Sequence, residues 1–100
     1  MKADGFFDDA KLRNEILLHI KNGKYRLTKH AAEEQAKDNL DLQDTLHILR
    51  TGFHEKAKTN FNNMFQNWKY VIRGKTEELK EVKVIISFAN EMMIITVMEL

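Results

Sequence analysis

The chain has 100 residues, a formal net charge of +1 and no cysteine. This length allows one two-layer core, so we predict a single domain over residues 1–100. The lack of cysteine excludes disulfides and thiolate zinc sites, and a reducing compartment, the cytoplasm, is the default expectation. No apolar run reaches the ~18 residues that a membrane span requires, so we expect no membrane partner.

Basic residues are concentrated in the middle of the chain. Residues 50–75 contain six basic residues and one acidic residue, whereas residues 1–44 contain eight basic and nine acidic residues. A local positive excess suits a polyanionic ligand such as nucleic acid. An ordinary solvated strand region gives the same imbalance, so both interpretations stay open.

Three helices are predicted in the first half of the chain from the helical spacing of apolar residues and from capping residues. The first ends near Asn22 and is capped by Asp8 or Asp9, the second runs from its cap Thr28 to a point before Asn39, and the third runs from its cap Asp41 to Gly52. Tyr25–Leu27, between the first two helices, is interpreted as a connector or an edge strand.

The second half of the chain changes to the alternating pattern of β-strands. Strands are predicted at 68–73, 82–88 and 92–98, joined by a charged loop at 74–81 and a tight turn at 89–91, so they form an antiparallel meander. A fourth strand across Phe53 to Lys58 is predicted to precede them. The sequence therefore predicts an α+β fold, with three N-terminal helices packed on a small antiparallel sheet of three to four strands.

His30 is the first candidate for catalysis. It opens the second helix, where the helix dipole disfavours extra positive charge and keeps an imidazole partly neutral, as a general base requires. A half-buried histidine bonded to a carbonyl is the alternative. The other histidines, His19, His47 and His54, are interpreted as structural or solvent-facing.

Arg73 and Lys75 are the second candidates because they lie two residues apart on one strand, in line with Lys69. Such a series of basic side chains can span a phosphate backbone, and the planar guanidinium of Arg73 can bind two phosphate oxygens. The alternative is a strand face that is charged for solubility.

Further RNA contacts are predicted at Lys56 and Lys58, which extend the basic face if Phe53 to Lys58 is a strand. Tyr70 is a candidate for stacking on bases, against the alternative that it packs in the core. Glu34 lies one helical turn from His30, but no second histidine or carboxylate pair completes a ligand set. We therefore predict no metal site and no cofactor.

Several segments carry a resemblance to known families: Thr28-Lys29-His30-Ala31, Asp41-Leu42-Gln43-Asp44, Leu49-Arg50-Thr51-Gly52 and residues 68–75. In these the chain resembles a family of small bacterial domains of unknown function that often begin with a helix-opening histidine. In the order of its elements, over residues 12–100, it is similar to the MqsR toxins, messenger RNA interferases of the RelE-like superfamily.

The resemblance implies a single RelE/MqsR-like domain with a RelE-like ribonuclease toxin fold. It also implies metal-independent cleavage of messenger RNA, often on the ribosome, by the toxin of a type II toxin-antitoxin system. The implied partner is a cognate antitoxin, typically a zinc-finger and helix-turn-helix protein. The catalytic residues that carry over come from the family of unknown function: His30, Arg73 and, after them, Lys75.

The chain departs from the MqsR pattern in three places. MqsR proteins have a glutamine after the tryptophan that Trp68 matches, a tyrosine in the next strand and a lysine near the C-terminus. This chain has Lys69, residues 82–84 of sequence Val-Lys-Val, and Glu99 in those regions. The MqsR catalytic set is therefore not reproduced residue for residue.

The leading hypothesis is thus a toxin endoribonuclease that forms a cyclic phosphate, with His30 or a lysine taking the 2′-hydroxyl proton and Arg73 stabilising the phosphate. One alternative is a non-catalytic module that binds nucleic acid or protein through the same basic face. A further alternative is a protein-binding domain that uses the Met-rich last strand.

Overall fold

The computed structural model describes residues 6–64 and 66–100 of the chain. Within these residues the elements are α1 (Asp9–Lys21), β1 (Tyr25–Leu27), α2 (Lys29–Lys37), α3 (Leu42–Thr51), β2 (Phe53–His54), a 3₁₀ turn (Lys56–Lys58), β3 (Asn60–Asn62), β4 (Asn67–Lys75), β5 (Glu81–Phe88) and β6 (Met92–Glu99). None of the described helices is long and apolar enough to cross a membrane.

The three predicted helices and their N-terminal caps are confirmed. The Asp8 carboxylate accepts a hydrogen bond from Lys11 N at 2.9 Å, and the Thr28 hydroxyl accepts one from Ala31 N at 3.1 Å. Asp41 and Asp44 each accept from the other's backbone amide, which forms a capping box at the start of α3. These contacts satisfy amides that a helix start otherwise leaves unpaired.

The antiparallel meander of β4, β5 and β6 is also confirmed. The predicted size and type of the sheet are wrong. The described residues form a six-stranded mixed sheet in the order β1-β6-β5-β4-β2, with β3 also paired to β4, and β1 runs parallel to β6. The predicted RelE-like arrangement of three to four antiparallel strands is therefore wrong. The fold does belong to the α+β class.

The physical reason for this error is the length of three strands, of which the sequence pattern predicts β1 as either a connector or an edge strand, β2 as part of a longer strand and β3 as a loop. β1, β2 and β3 have three, two and three residues, which is too short for an alternating pattern to be recognised. The predicted strand across Phe53 to Lys58 is interrupted because Lys56–Lys58 form the 3₁₀ turn.

The helices contribute to a single core against one face of the sheet. Tyr70 and Ile72 of β4 belong to this core, as do Val84 of β5 and Val97 of β6. The helices contribute mainly aliphatic side chains: Leu12, Ile16, Ala31, Leu46, Ile48 and Leu49. The sheet face opposite this core is not covered by a described helix.

Gly52, where α3 passes into β2, marks the closest approach of helix and sheet. A Cβ atom at this position would lie 2.6 Å from Arg73 O and 2.7 Å from Ile48 O, both backbone atoms. The lack of space for a Cβ atom therefore requires glycine here. The backbone conformation does not, since a φ of −76° suits any residue.

The free edge of β6 is covered by polar groups along the whole of α2, from its N-cap Thr28 to its C-cap Asp38. Beyond the short β1, Thr28 Oγ1 donates to Ile95 O at 3.2 Å, Glu34 Oε1 accepts from Val97 N at 3.3 Å, and Asp38 Oδ2 accepts from Glu99 N at 2.9 Å. An uncovered strand edge is a template for pairing with another chain, and these contacts block it.

Candidate nucleic-acid interface

The sheet face opposite the helices is called the open face. Because residues that are directly opposed in a sheet share a face, the strand register assigns its members. They fall into cross-strand rows: Lys75 and Glu81; Phe53, Arg73, Lys83 and Met98; Val71, Ile85 and Thr96; Asn60 and Lys69; and Arg26, Met93 and Ser87. Glu55 follows them on the β2 edge, where its amide donates to Val71 O at 2.8 Å.

Basic side chains outnumber acidic ones on the open face. Five are basic and two are acidic: Arg26, Lys69, Arg73, Lys75 and Lys83 against Glu55 and Glu81. Apolar side chains occupy the centre, with Ile85 and Met98 half-buried. A flat surface with positive charge around an apolar centre can accept a polyanion that also carries flat apolar groups, such as single-stranded RNA.

Arg73 is held between two carboxylates. Its Nη2 donates to Glu81 Oε1 at 2.5 Å, and its Nη1 lies 3.7 Å from Glu55 Oε2. The hydrogen bond that Arg73 donates to Glu81, opposed by partial desolvation and assisted by the charges of Glu81 and Glu55, raises the pKa of Arg73 above its ordinary value. The guanidinium therefore stays cationic and is oriented before any ligand arrives.

Glu55 is the more buried of the two carboxylates, with a side chain 15% exposed against 42% for Glu81. Its Oε1 atom is buried and has no hydrogen-bond partner in residues 6–64 and 66–100. A buried polar atom left unpaired costs about 1–3 kcal/mol. Glu55 Oε1 is therefore a hydrogen-bond acceptor for which the described residues provide no donor.

Phe53 is the exposed aromatic residue beside Arg73. It is 60% exposed and directly opposite Arg73 in the pairing of β2 with β4. A large apolar side chain at such a position gains little from the core. It does present a flat ring next to a cation, which suits stacking of a nucleic acid base.

The structure brings three of the predicted site residues together and separates the others. Lys69, Arg73 and Lys75 share the open face of β4 as predicted. Lys56 and Lys58 lie in the 3₁₀ turn and not in a strand, and Lys56 Nζ is 3.7 Å from Asp9 Oδ1 at the start of α1.

Tyr70 lies in the core on the helix side of the sheet. It is 2% exposed, its hydroxyl accepts from Phe7 N at 2.9 Å, and its ring stacks on Phe7 with centroids 5.8 Å apart. An RNA base does not reach the Tyr70 ring in this conformation, so Phe53 replaces it as the candidate for stacking.

His30 lies apart from Arg73. It is 66% exposed at the start of α2, and its Nε2 is 3.2 Å from Glu34 Oε1, which in turn binds the edge of β6. Neighbouring strands are about 4.8 Å apart, so β6 and β4 are separated by about 10 Å and β5 lies between them. Among the described contacts, none joins His30 to Arg73.

His54, interpreted from the sequence as structural or solvent-facing, is a polar residue whose side chain is buried. Its side chain is 5% exposed, with Nδ1 2.9 Å from Asp9 Oδ1 and Nε2 2.6 Å from Thr59 Oγ1. The hydrogen bond from His54, with a smaller contribution from the charge of Lys56, lowers the pKa of Asp9 below its ordinary value of 3.8. His54 thus ties the start of α1 to the edge of the sheet.

A cavity of about 280 Å³ lies beside this tie, between α1, α3 and β2. Its walls are mostly aliphatic, with Asp9, Arg13 and His54 as polar members. Arg13 Nη2 donates to Arg50 O at 3.0 Å. The residues predicted for catalysis are not among those that line it. The described residues contain no group of three or more His, Cys, Asp or Glu side chains placed to hold a metal ion.

Sequence reasoning missed five charged or aromatic members of the open face: Arg26, Phe53, Glu55, Glu81 and Lys83. The two-residue spacing of Phe53 and Glu55 is a signal that becomes readable only once β2 is known to pair with β4. Lys83 alternates with the buried Val82 and Val84, a pattern that already marks it as outward-facing.

The fold and the open face define a small α+β domain with a basic, partly apolar sheet surface. A family model described as a domain of unknown function (DUF4258) matches residues 27–99, from the end of β1 to the end of β6. The chain belongs to this family, as the sequence resemblance predicted at its coarser level. No curated protein and no solved structure was found to be similar to the chain.

Proposed function

We propose that this protein is an endoribonuclease that binds single-stranded RNA across the open face and cleaves it without a metal ion. The observation that carries the proposal is the placement of Arg73, a guanidinium fixed between two carboxylates on an uncovered face that also presents Lys69, Lys75 and Lys83.

The chemistry follows from these groups. The guanidinium of Arg73 offers paired donors to the oxygens of one phosphate, and the surrounding lysines attract the neighbouring phosphates. Glu81 is 42% exposed, so a phosphate can compete with it for the guanidinium. Phe53 offers a ring on which a flanking base can stack.

The reaction proposed is attack of a ribose 2′-hydroxyl on the adjacent phosphate, which leaves a 2′,3′-cyclic phosphate. Arg73, assisted by Lys75, stabilises the charge that builds on the phosphate. The sequence assigns the proton acceptor to His30 or to a lysine, and general acid-base assistance of this kind contributes on the order of 10²–10⁴-fold.

The toxin assignment rests on the resemblance of the sequence to MqsR in the order of its elements, although the sheet has more strands than that resemblance implied. We propose a cognate antitoxin, of the zinc-finger and helix-turn-helix type, as the protein partner and messenger RNA in the cytoplasm as the target. The half-buried apolar centre of the open face, with Ile85 and Met98, offers a surface that an inhibitor can cover together with the basic residues.

The second candidate is a non-catalytic nucleic-acid-binding module. The separation of His30 from Arg73 favours it, because two of the residues assigned to catalysis do not meet. Binding would then weaken steeply with salt, and single substitutions on the open face would cause graded losses of affinity with no cleaved product.

Induced expression in a bacterial host tests the toxin proposal. The native chain is expected to arrest growth and to leave cleaved messenger RNA that primer extension detects, and Arg73→Ala is expected to restore growth while it accumulates as a folded protein. Growth arrest by a well-folded Arg73→Ala variant would contradict the assignment. Lys37→Ala, an exposed charge on α2, serves as the matched control that keeps the arrest.

A further inference from the structure

We propose that Glu55 is the general base of the ribonuclease reaction, in the place that the sequence assigned to His30. The inference rests on the proposed function and names the group that takes the proton from the ribose 2′-hydroxyl. It depends on three observations: where Glu55 lies, how it is buried, and where His30 lies.

Glu55 lies directly beside the phosphate-binding candidate. It follows β2, its amide donates to Val71 O of β4, and its Oε2 is 3.7 Å from Arg73 Nη1. A substrate phosphate bound by Arg73 therefore places the adjacent ribose within the neighbourhood of this carboxylate. Phe53, two residues earlier on the same edge, offers the attached base a ring to stack on.

The burial of Glu55 leaves it with acceptor capacity that the described fold does not satisfy. Its side chain is 15% exposed, and Oε1 has no hydrogen-bond partner in the part of the chain that the structure describes. Glu81, by contrast, is 42% exposed and accepts the 2.5 Å bond from Arg73. Glu81 already accepts the hydrogen bond of the guanidinium. At Glu55, Oε1 is buried, so Oε2, which lies 3.7 Å from Arg73 Nη1, is the oxygen that a substrate hydroxyl can approach.

His30 lacks this placement. It lies at the far edge of β6, about 10 Å across the sheet from β4, and its described partner is Glu34. A base must lie within hydrogen-bond reach of the proton that it abstracts. One RNA phosphate cannot bind Arg73 and present its adjacent 2′-hydroxyl to His30 without a rearrangement of the sheet.

The step balances with these groups. The 2′-hydroxyl gives its proton to the Glu55 carboxylate while its oxygen forms a bond to phosphorus. The bond from phosphorus to the 5′-oxygen breaks, and that oxygen leaves with the electron pair and takes a proton from water. Arg73 remains cationic throughout and binds the phosphate oxygens.

The test measures cleavage of a short single-stranded RNA in excess chelator by the native chain, Glu55→Gln, Glu81→Gln, His30→Ala and Lys37→Ala. Glu55→Gln keeps the shape of the side chain and removes the base, so it is expected to lower the cleavage rate by at least ~100-fold with RNA affinity retained.

Glu81→Gln is expected to slow the reaction less, because Glu81 positions Arg73 and does not take the proton. Lys37→Ala, an exposed charge on α2, is expected to cleave within a few-fold of the native chain. Thermal unfolding of each variant separates loss of the base from loss of the fold, and a second variant, Glu55→Asp, is expected to retain partial cleavage.

The outcomes distinguish this inference from the proposed function. If the native chain cleaves and folded Glu55→Gln cleaves equally, Glu55 is not the base and the ribonuclease assignment stands. If His30→Ala alone abolishes cleavage, the base is His30. If the native chain itself leaves the RNA intact, the proposed function fails and this inference fails with it.

Discussion

Arg73 Nη1 lies 3.7 Å from Glu55 Oε2 on the face of the sheet that the described helices leave uncovered. The two residues come from different strand segments, and both are partly desolvated, with side chains 30% and 15% exposed. A partly buried ion pair is weak evidence for a stabilising role, since desolvation offsets much of its attraction. A pair of this kind fits the proposed role, in which Glu55 holds Arg73 in place for a ligand.

Phe53→Ala is expected to weaken binding of single-stranded RNA and to leave the fold intact. Base stacking on an aromatic side chain contributes about 1–3 kcal/mol per base, so the dissociation constant should rise several-fold to about 100-fold. The 60% exposure of Phe53 predicts little change in the melting temperature. Fluorescence anisotropy with a labelled RNA measures the first and calorimetry the second.

Leu79→Ala is the matched control for Phe53, because Leu79 is 75% exposed and lies in the loop after β4. It removes a comparable exposed apolar side chain away from the open face. Equal losses of affinity in both variants would indicate a non-specific effect and would remove Phe53 from the interface.

Asp9→Asn is expected to destabilise the protein at neutral pH and to have no effect in strong acid. The pKa of Asp9 is lowered in the folded state, chiefly by the hydrogen bond from His54, so its contribution to stability is present above the ordinary value of 3.8. That contribution is lost as the pH falls through the lowered pKa. Urea unfolding of the native and variant proteins across this range measures the difference.

The difference between native protein and Asp9→Asn should therefore close below pH 4 and stay constant above it. Glu78→Gln, which changes an exposed carboxylate in the loop after β4, is the control and should show no such change. A constant difference at every pH would mean that the tie to His54 does not depend on the Asp9 charge.

Glu34→Ala is expected to lower the free energy of unfolding by about 1 kcal/mol and to expose the edge of β6. Glu34 Oε1 accepts the hydrogen bond from Val97 N, and the net contribution of such a bond is of this size. Loss of the bond leaves a strand edge that can pair with a second copy. Chemical unfolding and sedimentation measure stability and self-association.

Glu34→Gln keeps an acceptor oxygen and should behave more like the native chain, and Glu33→Ala changes an exposed neighbour on the same helix. If Glu33→Ala destabilises as much as Glu34→Ala, loss of a negative charge in the N-terminal half of α2 and not the edge contact explains the result.

Gly52→Ala is expected to destabilise the fold and to displace Arg73. The added Cβ would lie 2.6 Å from Arg73 O, and a backbone atom cannot move away as a flexible side chain can, so a cost of about 1–3 kcal/mol is expected. Gly23→Ala is the comparison. An added Cβ at Gly23 would have no atom within 4 Å, so alanine costs only the strain of the left-handed backbone conformation at φ +67°, about 1–2 kcal/mol. Only Gly52→Ala should also impair RNA cleavage.

The helices and the long strands could be predicted from the sequence because their signals are local. Asp8, Thr28 and Asp41 act through contacts within three residues, so their caps are readable without the fold. β4, β5 and β6 have eight or nine residues each, which is enough for alternation to appear. The short β1, β2 and β3 depend on partners elsewhere in the chain.

The candidate interface was predictable only where it lies on one strand. Lys69, Arg73 and Lys75 share a face because of the period of β4 alone. The pairing of Glu55 with Arg73 requires β2 to lie beside β4, and the distance of His30 from Arg73 depends on where α2 packs. Such tertiary relationships leave no periodic signal in the sequence.

Cleavage of a mixed-sequence RNA by the purified chain in excess chelator tests the central claim most directly. The native chain is expected to produce fragments that end in 2′,3′-cyclic phosphate, and folded Arg73→Ala is expected to lose this activity. Intact RNA at excess protein, together with salt-sensitive binding, would contradict intrinsic ribonuclease activity and identify the open face as a binding surface.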